Sequence, residues 1–139
     1  MVSLRNYLRN NMDFTERFAL YKEGGMIDDN DIEDLNAVIK LFKDEYGVTL
    51  EEENASMFIA HLCAAYGRID SGENIDELPS EVVDELKSLP TYDLSLEILD
   101  KVMKVTKNAL NDIEQGYALL HINNIIAQLQ QSGEWHTTK

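Results

Sequence analysis

Apolar residues recur at three- and four-residue intervals along most of this chain, the spacing of helices that bury one face. Strand-like alternation is absent over any useful length, and proline is confined to Pro79 and Pro90. A first helical stretch is predicted over residues 4–21, with Leu4, Tyr7, Leu8, Phe14 and Phe18 at mixed helical spacing. It has a weak point at Asn10-Asn11 and ends at Gly24-Gly25. A second opens at Asp28-Asp29-Asn30-Asp31, whose carboxylates suit the positive end of a helix dipole. Its stripe is Ile32, Leu35, Val38, Ile39, Phe42 and Tyr46, and Gly47 is the stop. A third starts after Thr49, a capping candidate with Glu52 and Glu53 in the first turn. It passes through Met57, Ile59, Leu62, Ala65 and Tyr66 to about residue 70. Its apolar character wraps most of the way round, which predicts a central place in a bundle.

Ser71-Gly72-Glu73-Asn74 reads as a loop, and Pro79-Ser80 announces a short helix with Val82, Val83 and Leu86 that Leu89-Pro90-Thr91 terminates. A fifth stretch over 93–107 carries Leu94, Ile98, Leu99, Val102, Met103 and Val105. Asn111-Asp112 begins the last helix, with Ile113, Tyr117, Leu120, Ile125 and Leu129 inward, and Ser132-Gly133 closes it. Short connections imply antiparallel neighbours. The predicted fold class is therefore all-α: a compact bundle of about five antiparallel helices over 28–132. An N-terminal helical extension covers 1–27, and a loose C-terminal tail covers 133–139 with Trp135 as its only anchor.

Composition narrows the function. A chain of 139 residues with 44% hydrophobic content suffices for one domain with a real core. The formal charge of −14 is uneven: residues 1–25 balance at +1, 26–100 at −16 and 101–139 at +1. An acidic middle opposes independent binding to a nucleic-acid backbone. It is either a solvated face or a docking surface for a basic partner. The one cysteine, Cys63, excludes an intrachain disulfide and sits in an apolar stretch, as a buried thiol in a reducing compartment would. No apolar run approaches the roughly 20 residues of a membrane span. Arg5 and Arg9 have no apolar segment behind them, so no secretory signal is read and the expected location is cytoplasmic.

Two histidines carry the candidate chemistry. His61 lies in Phe58-Ile59-Ala60-His61-Leu62-Cys63-Ala64-Ala65-Tyr66-Gly67-Arg68-Ile69, and His121 in Glu114-Gln115-Gly116-Tyr117-Ala118-Leu119-Leu120-His121-Ile122. An imidazole titrates near neutrality and is a nucleophile toward activated phosphate. His61 and Arg68 share one helix face two turns apart, as do Glu114 and His121. A guanidinium beside a histidine suits an incoming phosphoryl group. The same spacing fits histidines that merely pack and hydrogen-bond, and both readings stand at this point. No His-Glu-x-x-His, paired-cysteine or calcium-loop pattern is present, so no metal or cofactor is expected. Nothing resembles a nucleophile elbow or a phosphate-binding glycine loop, and no catalytic residue is assigned.

Taken together, the two histidine segments resemble the PRD, the phosphotransferase-system regulation domain of bacterial antiterminators and transcriptional activators. The first carries a histidine in an apolar helix with an arginine two turns on. The second fills every named position of Glu-x-Gly-Tyr-x-x-x-His-Ile. The likeness covers about residues 28–132. It implies a helical, homodimeric regulatory module whose histidines take phosphate from sugar phosphotransferase-system proteins, a phosphocarrier or an enzyme II component. On that likeness His61 and His121 are the phosphoacceptors, Arg68 a phosphate partner, and Glu114 an orienting or packing residue. Ala60 stands where many family members carry an aspartate before the first histidine. A single PRD occurs here where the regulators commonly carry two, and residues 1–27 do not match their nucleic-acid-binding modules. The switched element is therefore expected to be a separate regulator chain or the protein's own dimer, without direct nucleic-acid or membrane contact. The other expectation is a helical interaction domain with structural histidines.

Overall fold

Side chains that satisfy the free N–H groups of a first turn, and glycines that let the chain leave the last one, divide this sequence into its elements. The structure, a computed structural model, describes residues 14–135. Six helices follow in order: α1 (Phe14–Glu23), α2 (Asp29–Tyr46), α3 (Glu52–Ser71), α4 (Ser80–Ser88), α5 (Tyr92–Val105) and α6 (Asp112–Ser132). No strand occurs among the described residues. The fold is all-α, a bundle as the periodicity predicts. Leu4, Tyr7, Leu8, the predicted break at Asn10-Asn11 and residues 136–139 lie outside the described residues.

The caps explain the boundaries. Asp28 accepts from the Asp31 N–H at 2.8 Å, and Asp31 accepts in return from the Asp28 N–H at 3.1 Å, a reciprocal box at the start of α2. Gly47 ends that helix at φ 66°, a left-handed turn that a side chain would strain. Thr49 is not the cap of α3. Glu51 occupies that position, and the Asn54 carboxamide accepts from the Glu51 N–H at 3.0 Å while donating to the Thr49 carbonyl at 3.1 Å. At α6 the Asn111 side chain accepts from the Glu114 N–H at 2.9 Å.

Four helices close a ring of contacts. α2 packs on α3 and α5, and α6 packs on the same two; α4 lies against α5. Leu35, Val38, Phe42, Phe58, Ile59, Leu62, Ile98 and Ile122 fill the centre. Phe14 and Phe18 of α1 join the same core, their rings 5.9 Å apart, and Arg17 pairs with Glu52 in the first turn of α3 at 2.5 Å. Trp135 is buried and stacks on Tyr46 with ring centroids 5.6 Å apart, so the first residues after α6 are anchored as expected.

Three details depart from the pattern reading. The central position is shared: α6 touches both α3 and α5 and is as enclosed as α3. Its buried face is accordingly rotated, with Glu114, Ala118, Leu119, Ile122 and Ile126 inward while Ile113, Tyr117 and Leu120 are only partly covered. A helix with two partners has two candidate stripes, and periodicity alone cannot choose between them. Met57, placed in the α3 stripe, is 69% exposed. Helix α5 stops at Val105, short of the predicted 107, because Asp34 accepts from the backbone N–H groups of Lys107 and Asn108, each at 2.8 Å. Those bonds pull the chain off the helix axis.

Candidate functional site

On α3, His61 and Arg68 project from one face toward the first turn of α6, where the Asn111 cap fixes the backbone of Glu114. The Glu114 carboxylate enters between them. Arg68 grips it with two parallel bonds, Nε to Oε2 at 2.6 Å and Nη2 to Oε1 at 2.9 Å, and His61 Nε2 lies 3.0 Å from Oε1. Glu114 is only 2% exposed. A carboxylate this deep stays ionised only if strongly held, and the Arg68 bonds keep it below the usual carboxylate range against the upward push of burial. An ionised carboxylate can only accept, so His61 donates through Nε2–H. Its Nδ1 is then an unprotonated nitrogen, buried and without a hydrogen-bond partner among the described residues. Burial outweighs the pull of Glu114 and lowers the pKa of His61, which is neutral at pH 7.

The rings of Tyr117 and His121 lie against His61, at centroid distances of 5.8 and 5.3 Å. The Tyr117 hydroxyl donates to the Asp76 carbonyl at 2.8 Å and ties the segment after α3 to α6. His121 is half-buried. Burial first, and the neighbouring His61 second, bring its pKa down from the ordinary 6.5 to about 4. It too is an uncharged imidazole across the physiological range. Unlike His61, it borders an open groove of about 190 Å³ between α3 and α6, together with Ser56, Met57, Asn124 and Gln128.

The structure thus brings all four sequence-derived site residues into one cluster but gives the two histidines different positions. His61 is sealed against α6, and His121 meets the groove. Arg68 borders a separate depression on the other side of α3, with Met26, Gly67 and Glu73. Pattern reading missed Ser56 and Asn124 at the groove. Asn124 lies one turn beyond His121 and was legible as a neighbour. Ser56 comes from another helix, and nothing in the sequence links it to His121.

Elsewhere, Asp28, Asp31 and Asp70 bring one carboxylate oxygen each within 4.8 Å of one another. Two of the three form the α2 capping box, and Asp31 also accepts from Asn108 at 3.0 Å. The cluster is thereby accounted for as helix capping and loop anchoring. The Cys63 thiol is buried and pushed up to about 11 by that burial, which removes it as a nucleophile at neutral pH. No helix among the described residues is long and apolar enough to cross a membrane.

The chain is similar to a protein of Escherichia coli (strain K12) named YhfY and described as uncharacterized, 24% identical over 106 residues, covering 76% of this chain and 88% of the relative. It is also similar to an uncharacterized protein of Haemophilus influenzae (strain ATCC 51907 / DSM 11121 / KW20 / Rd), 26% identical over 73 residues, covering 52% of this chain and 58% of that one. No solved structure is significantly similar to it. The family description that matches is "PRD domain", over residues 36–125, a span that takes in both histidines, Arg68 and Glu114. With six helices among the described residues and its paired histidine segments meeting across α3 and α6, the chain belongs to the PRD domain family.

Proposed function

We propose that this protein is a regulatory module, without catalytic turnover, that receives a phosphoryl group on His121 from a sugar phosphotransferase-system protein. The observation that carries the reading is the position of His121: an uncharged imidazole bordering an open groove, backed by a fixed His61–Glu114–Arg68 cluster. A neutral ring nitrogen has a free lone pair for attack on phosphorus. In the transfer the phosphorus–nitrogen bond of a donor phosphohistidine breaks as one to His121 forms. The proton on the other nitrogen of His121 passes through water to the imidazole that leaves. His61 takes the same role only where the contact between α3 and α6 opens, since one nitrogen is held by Glu114 and the other is covered.

The modification adds about −1.5 to −2 charges. In a chain of net charge −14 this loosens any interface of like charge beside the groove. The expected output is a change in homodimer packing, or in contact with a separate regulator chain of transcription or antitermination, in the cytoplasm. The second reading is an interaction domain with structural histidines; the sealed, Glu114-bonded ring of His61 favours it for that residue.

Intact-mass measurement after incubation with phosphoenolpyruvate and the phosphorelay proteins separates the readings. One phosphoryl group is expected on the wild type and none on His121→Gln, with the stability of the variant unchanged within about 0.5 kcal/mol. An unlabelled wild type, together with a loss of about 1–3 kcal/mol in the variant, supports the structural reading instead.

A further inference from the structure

Arginine is the residue type that pattern reasoning assigns to an incoming phosphate, yet Arg68 is poorly placed for it. Two of its nitrogens bind Glu114, and it faces a depression that does not contain His121. Turning toward a phosphate would strip a carboxylate that is 2% exposed of its counter-charge. Among the described residues the groove is lined by no cation. The one charged side chain among them is Glu53, which repels a phosphoryl group. Hydrogen bonds from neutral donors must therefore hold whatever His121 carries.

Not every donor there is free. Asn54 is occupied by Glu51 and Thr49, and the Gln128 amide donates to the Glu53 carbonyl at 3.3 Å. Ser56 and Asn124 border the groove with no hydrogen-bond partner among the described residues. Asn124 sits one turn beyond His121 on the same face of α6, and Ser56 faces the groove from α3. We infer that a phosphoryl group on His121 is held by the Asn124 carboxamide and the Ser56 hydroxyl, while Arg68 only positions the rings behind it through Glu114. This rests on His121 being the acceptor. Because the donors are neutral and Glu53 opposes them, the phosphohistidine is short-lived, as a reversible signal requires.

Chemical labelling of the full chain with phosphoramidate tests this independently of any protein donor. The phosphorus–nitrogen bond of the reagent breaks, the bond to His121 forms, and ammonia leaves with the ring proton. The half-life of phosphohistidine at neutral pH is then followed by intact mass and by its ³¹P resonance. Asn124→Ala and Ser56→Ala are each expected to shorten it about fivefold, the factor for one neutral hydrogen bond. Asn124→Asp is expected to shorten it further, and Glu53→Gln to lengthen it. Both residues have solvent access, and an unchanged circular dichroism spectrum certifies the fold. Unaltered half-lives and ³¹P shifts in the two alanine variants overturn the inference. Labelling by phosphoramidate but not by phosphotransferase proteins refutes the proposed donor and leaves these two residues standing. Failure of phosphoramidate to label His121 removes both.

Discussion

Glu114 is the charged side chain on which the site depends. It is nearly inaccessible, and it bonds at once to a guanidinium and to an imidazole. A buried ion pair is a weak source of net stability, because both charges leave water, but removing one partner strands the other. Arg68→Ala is therefore expected to destabilise the fold by about 3 kcal/mol in urea denaturation. Arg68→Met with Glu114→Leu is expected to recover part of that loss, although the His61 Nε2–H then goes unpaired. A single variant with near wild-type stability would refute this account of Glu114. The participants were legible in the sequence, since Arg68 stands two turns from His61, and Glu114 two turns from His121. Their pairing across helices was not. The arginine that the resemblance implies as a phosphate partner is paired here with the glutamate, a geometry fixed by how α3 meets α6.

Among the elements, α3 and α6 set the histidines against each other, and the connections set how α6 enters. Asp34 of α2 accepts from the N–H groups of Lys107 and Asn108, and from the Asn108 carboxamide at 2.7 Å, and so holds the link from α5 to α6. Asp34→Ala leaves two backbone donors without their partner. It is expected to cost about 2–4 kcal/mol and to speed amide exchange at Lys107 and Asn108. Protection factors equal to wild type at those two amides would contradict the assignment. Helix ends were mostly legible because their chemistry is local: Asp28, Gly47, Asn111 and Gly133 act on the adjacent backbone. The early end of α5 was not, because the residue that causes it lies on α2. The rotation of α6 was also hidden. Its apolar positions run almost all round the helix, and the buried polar pair Glu114 and Asn123 cannot be phased without their partners on α3 and α5.

For the whole molecule, the neutral histidines make stability depend on pH in a defined direction. The folded pKa of His121 is depressed from 6.5 to about 4, and that of His61 is also lowered. As pH falls below 6.5 the unfolded chain binds protons at these histidines that the folded chain refuses, so their contribution to stability is lost on acidification and is constant above neutrality. Glu114, lowered by Arg68, adds to the loss only below its unfolded 4.5. The interval from pH 6.5 to 5 thus lies above the range in which Glu114 contributes. The urea midpoint is expected to fall across it by the equivalent of on the order of 1–2 kcal/mol, a figure reduced for the partial exposure of His121. His121→Gln is expected to make the profile shallower, leaving the His61 share, and a wild-type profile already flat there would contradict buried, uncharged rings.

The central claim is that the bundle offers His121, and not His61, to a phosphoryl donor. Residue-level mapping of the phosphoryl group by tandem mass spectrometry, after labelling with phosphoenolpyruvate and the phosphorelay proteins and digestion at neutral to alkaline pH, tests it most directly. The label is expected on His121, with His61 bare while the fold is intact. Label on His61 alone, or no label under conditions that modify another PRD, would contradict it.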